Sequence, residues 1–316
     1  MHPKPVTFPF IFLLILYLSS CAGAAAYRRA EAVGAPVVWT DSIQRIAVQW
    51  TTLSPGIEFA ATTVAKPSLE LRALRVDLAH PSVSVIVGPA ASGPGTVPSV
   101  RTTTFARDNG CAAAVNGTPF DPASSVEGEE RRVVGVAIRN GVPISVPDGR
   151  YAALIFQEDG TAKVVEQSAL PEPEKRGYGG IRHAVGGFFV VLENGVSRGH
   201  PTRRFPRTAA GVSADGRTLI LLTVDGRRRR SVGSTEPETG TILAALGARE
   251  GLILDGGGST TMAIRLPDGR IAAANVPIHG GIPGRERAVG VCLGIFAGSG
   301  LPPPTYVGTP ESSRQP

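Results

Sequence analysis

Short runs in which apolar and polar residues alternate, or in which β-branched residues cluster, recur along most of the chain. They predict strands at residues 45–51, 69–77, 83–87, 113–115, 133–139 and 152–156, and again at 184–191, 210–212, 218–224, 251–254, 261–265 and 289–296. The punctuation between them is sharp. Asn140-Gly141, Asp159-Gly160, Asn194-Gly195, Asp215-Gly216 and Asp268-Gly269 each sit between two such runs, and Asn-Gly or Asp-Gly there marks a tight hairpin, so the sheets should be largely antiparallel. Helical periodicity is rare. The better candidates are residues 99–108 and 239–248, where Ile242, Leu243 and Leu246 share a face and Gly247 lies near the end. With no repeat of fixed period and no internal break in composition, residues 39–300 read as a single α+β domain of mainly antiparallel sheets, many hairpins and a few helices.

The ends carry a different pattern. One basic residue, Lys4, precedes an apolar run from Phe8 to Leu18, too short for a permanent span of about 20 residues, and Leu18-Ser19-Ser20-Cys21 follows it. This is the layout of a secretory signal over residues 1–20. Small residues directly before a Cys resemble the lipobox of bacterial lipoproteins, so Cys21 is expected to carry a lipid anchor; ordinary cleavage at residues 22–26 is the other reading. Residues 21–38 would be a flexible spacer and residues 301–316, rich in Pro and Ser, a disordered tail. Either way the protein is expected to be exported; with the anchor it is held on the periplasmic or extracellular face of the cell membrane.

Cys111 and Cys292 remain. An oxidising compartment permits a disulfide between them, yet their apolar surroundings suit two buried thiols as well, and neither looks like a nucleophile. A formal net charge of +6 implies a basic surface. The run from Arg227 to Arg230 can attract anionic lipids, cell-wall polymers or nucleic acid, or it can be a solvated loop; a nucleic-acid partner is not expected.

The densest candidate chemistry is Leu254-Asp255-Gly256-Gly257-Gly258-Ser259-Thr260-Thr261. An apolar strand ends in a carboxylate and runs into three glycines and three hydroxyls, so backbone can approach a ligand closely and present N–H donors to an oxyanion. The familiar alternatives fail. No Lys follows the glycines, the serine-hydrolase elbow lacks its final Gly, and no Gly-x-Gly-x-x-Gly opens a helix after a first strand. His80, His183, His200 and His279 are scattered, without zinc-ligand spacing.

With the segments Ala114-Val115-Asn116-Gly117, Ala184-Val185-Gly186-Gly187, Arg207-Thr208-Ala209-Ala210-Gly211-Val212, Leu221-Leu222-Thr223-Val224-Asp225-Gly226-Arg227 and Glu286-Arg287-Ala288-Val289 in the same order, this loop resembles the signature of the phosphodiester glycosidase family. The likeness spans residues 71–296. It departs after Asn116-Gly117, where the family usually has a second Gly and two aromatics; here Thr118-Pro119-Phe120-Asp121 follows, and Pro119 stiffens the loop.

The resemblance implies hydrolysis of a sugar 1-phosphodiester, with an N-acetylglucosamine-like sugar, to free sugar and phosphomonoester. A phosphate leaving group is a weak base and needs little acid assistance, so the site should supply cations and N–H donors to phosphate and a carboxylate to the anomeric centre. Asp255 is then the principal carboxylate, as base or nucleophile, with Asp225 or Glu286 as the second. Arg207 and Arg287 would hold phosphate; Gly256, Gly257, Gly258, Ser259, Thr260 and Thr208 would complete the cradle; Asn116 would bind sugar. Plainer readings exist: Asp225-Gly226 as a hairpin turn, Glu286 and Arg287 as a surface ion pair, Arg207 at a strand end. No cofactor is required, although a Ca²⁺ site of loop carbonyls and carboxylates leaves little trace in sequence. The expected partners are a glycan or sugar-phosphate substrate and the membrane. Two competitors stand beside the glycosidase: a non-catalytic glycan- or cell-wall-binding lipoprotein of the same fold, and a periplasmic phosphodiesterase using a divalent cation between Asp255 and Asp225.

Overall fold

The structure, a computed structural model, describes residues 41–171, 178–201 and 203–298. The expected signal, the lipidation residue Cys21, the spacer and the tail lie outside these residues. Everything described belongs to one compact unit, Trp39–Pro316, and among the described residues no helix is long and apolar enough to cross a membrane.

Strands dominate. Apart from one turn at Asp41–Gln44, the described α-helices are Thr102–Asp108 and Glu236–Ala245, so the mainly antiparallel sheets and few helices are as expected, while the described chain is mainly β rather than α+β. Every pairing between the described strands is antiparallel, and the five Asn-Gly and Asp-Gly pairs read as hairpin turns all turn hairpins. At Asn140-Gly141 and Asn194-Gly195 both residues have positive φ, the turn whose twist matches that of the strands it joins.

The largest sheet has eight strands in the order Thr51–Ser54, Ile57–Val64, Leu69–Asp77, Thr218–Val224, Arg207–Val212, Glu250–Ile253, Val190–Glu193 and Val196–Ser197. Its centre is buried on both faces. Along Thr218–Val224, Leu219 and Leu221 enter one core while Ile220, Leu222 and Val224 enter another. This explains why those strands read as unbroken apolar runs. The first core is shared with two five-stranded sheets. One contains Ala113–Asn116, Met262–Arg265 and Cys292–Ala297; the other contains Ala152–Gln157 and Ile181–Gly186. The second core is closed by the helix Glu236–Ala245, which lies so near the sheet that a Cβ on Gly240 would sit 1.9 Å from the carbonyl oxygen of Val191.

Boundaries shift where turn and cap chemistry overrides the apolar pattern. The second helix starts three residues before the expected 239 because Thr235 and Glu238 form a capping box with Pro237 in the first turn. The other helix begins at Thr102 rather than 99. Residues 45–50, expected as strand, are irregular. The predicted 133–139 strand is cut at Gly135, φ +95, and 184–191 is cut at Gly187, where a Cβ would lie 2.4 Å from the Ile253 oxygen. Strands at Ile57–Val64 and Ala162–Glu166 carried no pattern strong enough to predict them. Cys111 and Cys292 are buried free thiols, and burial pushes Cys111 up to about 12 and Cys292 further still, so both are inert.

Candidate active site

Register places the chemistry. Arg207 pairs with Val224 and Ala209 with Ile253, so Arg207, Asp225 and Asp255 all emerge at one end of the eight-stranded sheet. From there the glycine loop crosses to the strand Met262–Arg265 of the second sheet, whose neighbour ends in Asn116. Asn116 latches the crossing. Its Nδ2 donates to the Asp255 carbonyl at 2.6 Å, and its Oδ1 accepts from the Thr208 hydroxyl at 2.6 Å and from Thr261 N–H at 3.1 Å. Asn116 and Thr208 are wholly buried. They therefore position Asp255 from beneath and do not reach the surface a sugar would meet, which replaces the expected direct contact.

Above that latch the glycines make room for arginine. A Cβ on Gly258 would lie 2.6 Å from Nη2 of Arg287, and one on Gly257 would lie 3.1 Å from Nη2 of Arg227. Two guanidinium groups thus rest on one loop. Arg287 donates from Nη1 to the Ser259 hydroxyl at 3.2 Å and from Nε to Nδ1 of His279 at 3.1 Å. Ser259 in turn hydrogen-bonds the Asp255 carboxylate, and Gly256 N–H donates to its Oδ1 at 2.9 Å. Burial raises the Asp255 carboxyl above its ordinary range, against the opposing pull of Ser259, Arg287 and Gly256. Burial lowers Arg287, and the charge of Arg227 adds to this, while Asp255 opposes it; a guanidinium nonetheless stays protonated. His279 is lowered by burial and then by Arg287 and Arg285, so at neutral pH it accepts from Arg287 as a neutral imidazole. Arg227 holds a left-handed φ of +57, an uncommon conformation for a residue with a side chain, of the kind that gathers at functional sites.

The expected second carboxylates are engaged elsewhere. Asp225 is 1% exposed. It accepts from Asn275 Nδ2 at 3.0 Å, from Val276 N–H at 3.1 Å and from Arg228 Nη2 at 2.8 Å, and Arg228 also pairs with Glu70. Asn275 passes this bracing on, donating to the Thr260 carbonyl at 3.1 Å and accepting from Met262 N–H at 2.8 Å. Asp225 therefore fixes the exit of the glycine loop. Glu286 accepts from the hydroxyl and N–H of Thr103 at 2.7 and 3.3 Å, in the first turn of the helix Thr102–Asp108, and is not ion-paired with Arg287. Arg207 turns its Nε to the Ser234 carbonyl at 3.2 Å and lies 5.2 Å from the Phe205 ring; only its backbone borders Gly256. Thr260 is buried, its hydroxyl without a hydrogen-bond partner among the described residues.

The loop after Asn116 is packed down. Thr118 donates to the Val136 carbonyl and accepts from Gly186 N–H at 3.0 Å. Among the described residues no group of three or more His, Cys, Asp or Glu is placed to hold a metal ion, and the oxygens of Asp225 that were to share a cation with Asp255 are already occupied. Sequence reasoning missed Arg227, His279 and Asn275. Arg227 ends a segment that carried the family likeness, but its left-handed turn has no signature; His279 and Asn275 had none at all.

Comparison with known proteins gives a family and a fold. A model of the phosphodiester glycosidase family matches residues 109–296. The SPbeta prophage-derived uncharacterized protein YomE of Bacillus subtilis is 26% identical over 220 residues, 66% of this chain and 33% of its own, so the chain spans about a third of that relative. Among solved structures, a hypothetical protein from Synechocystis superposes with a TM-score of 0.60 at 15% identity, over 80% of this chain and 64% of its own. The zebrafish N-acetylglucosamine-1-phosphodiester alpha-N-acetylglucosaminidase catalytic domain, auto-inhibited by its pro-peptide, gives 0.54 at 20%, over 79% and 87%. A putative exported protein from Burkholderia pseudomallei gives 0.51 at 16%, over 72% and 74%. At these identities the likeness is one of fold.

Proposed function

The chain belongs to the phosphodiester glycosidase family, and from that premise we propose that it hydrolyses the anomeric C–O bond of a sugar 1-phosphodiester, releasing free sugar and a phosphomonoester. One observation carries the reading: a carboxylate raised by burial and two guanidinium groups share a single loop. Arg227 and Arg287 would hold the phosphate as negative charge builds on it. Asp255 would take the proton of a water whose oxygen attacks the anomeric carbon while the bond to the phosphate oxygen breaks and the electron pair leaves with it. A phosphomonoester, whose second pKa is about 6, departs without a general acid. This fits a site in which neither Asp225 nor Glu286 stands free beside Asp255. His279 would hold Arg287 in place from behind.

The proposed sugar is N-acetylglucosamine-like, as in the name of the zebrafish enzyme, and the proposed setting is outside the cytoplasm with Cys21 lipidated. The test is hydrolysis in ¹⁸O-water of a methyl diester of α-N-acetylglucosamine 1-phosphate and of UDP-N-acetylglucosamine. Label in the sugar supports C–O cleavage. Label in the phosphate would mean a phosphodiesterase, and binding without products a glycan-binding protein.

A further inference from the structure

The reaction absorbs Arg227 but leaves the two arginines beyond it unexplained. Arg228 and Ser231 exchange backbone hydrogen bonds, N–H to carbonyl at 3.0 and 3.1 Å, so Arg229 and Arg230 form the tip of a two-residue turn. Both are exposed, and among the described residues neither has an acidic partner. They follow Arg227 by two and three residues, at most about 10 Å of chain.

The turn is held firmly. Ser68 Oγ donates to the Arg230 carbonyl at 2.7 Å, Val232 N–H donates to the Ser68 carbonyl at 3.0 Å, and the Ser231 hydroxyl accepts from Glu70 N–H at 3.0 Å while donating to the Asp225 carbonyl. Arg228 is drawn inward between Glu70 and Asp225. The five other tight turns named above carry Asn-Gly or Asp-Gly at the tip, where turn geometry alone sets the residues. Here two adjacent like charges occupy the tip of a pinned turn, so positive charge is held at a fixed place on the surface where an anion can lie against it.

Resting on the reading that the cradle binds a phosphodiester, we propose that the leaving group carries further phosphates and that the Arg229-Arg230 turn binds the next one along. The substrate would then be a sugar-bearing phosphodiester polymer rather than an isolated diester. Arg227 supports a chain over a membrane surface, because it makes the positive charge continuous from the cradle to the turn.

The test is binding of a fluorescent glycerol-phosphate oligomer to the full chain, compared with an Arg229→Ser/Arg230→Ser double variant at about 0.01 M and 0.15 M salt. Wild type should bind at low salt and lose affinity steeply with added salt, and the variant should bind about tenfold more weakly with a shallower slope. Hydrolysis of the methyl diester should be the same in both proteins. Equal oligomer binding by the two proteins would overturn the proposal. So would tighter binding of phosphatidylglycerol vesicles, lost in the same variant, which would assign the turn to a membrane. Binding is read without turnover, so failure to hydrolyse any diester would fall on the proposed reaction and not on this inference.

Discussion

Asp225 and Asp255 begin alike. Each follows an apolar strand of the same sheet, each precedes a glycine, and burial raises both. Their surroundings then diverge. Asp225 is covered by Arg228, Asn275 and the Val276 amide, whereas Asp255 has a hydroxyl, one amide and a guanidinium that reaches it through Ser259. A carboxylate with every oxygen satisfied braces structure; one that keeps capacity in an arginine-covered loop can do chemistry. Glu286 extends the contrast, since it is spent on the start of a short helix.

The largest expected effect comes from removing the charge that is not spent. Asp255→Asn should lower kcat/KM by about a thousandfold or more, measured on the methyl diester. In wild type, activity should rise with pH through the raised value of Asp255, because the base works ionised. Stability should run the other way. A carboxyl raised by burial favours the folded state when protonated, so that contribution is present below the ordinary carboxylate value and is lost as pH rises through the raised one. Asp255→Asn should therefore raise Tm at neutral pH, with the gain fading under acid. A lower Tm at neutral pH would show that Asp255 is as structural as Asp225.

Asp225→Asn should do the opposite, costing on the order of 3 kcal/mol in urea unfolding, because an amide cannot accept from Arg228, Asn275 and the Val276 N–H together and leaves a buried donor unmet, although Arg228 keeps Glu70. The folded fraction should keep most of its turnover. Arg287→Lys comes next. A lysine cannot serve Ser259 and His279 together, so kcat/KM should fall about ten- to a hundredfold with Tm nearly unchanged. Glu286→Gln should be smallest, costing about 1 kcal/mol or less at the helix start and leaving kcat as it was. A large loss of kcat there would restore Glu286 as a reacting carboxylate.

Much of this was legible along the chain because it is local. Period-2 alternation marked Leu69–Asp77 and an unbroken apolar run marked Thr218–Val224, both to the residue, five Asn-Gly and Asp-Gly pairs announced their hairpins, and three glycines after Asp255 signalled close approach before anything showed what approached. Where reading failed, a local feature without a strong signature had intervened, such as the positive φ at Gly135 or the irregular stretch after Asp41–Gln44.

Sequence by itself thus determined the strands, their hairpins and the loop that bears Asp255, since each rests on the preferences of a few adjacent residues. The tertiary structure decided which carboxylate keeps capacity and which arginines face it. That outcome depends on contacts between residues far apart in the chain: Asn116 with Asp255 across 139 positions, Glu286 with Thr103 across 183, Asp225 with Asn275 across 50. No local preference encodes such a meeting; it follows from the register of two sheets that the glycine loop joins.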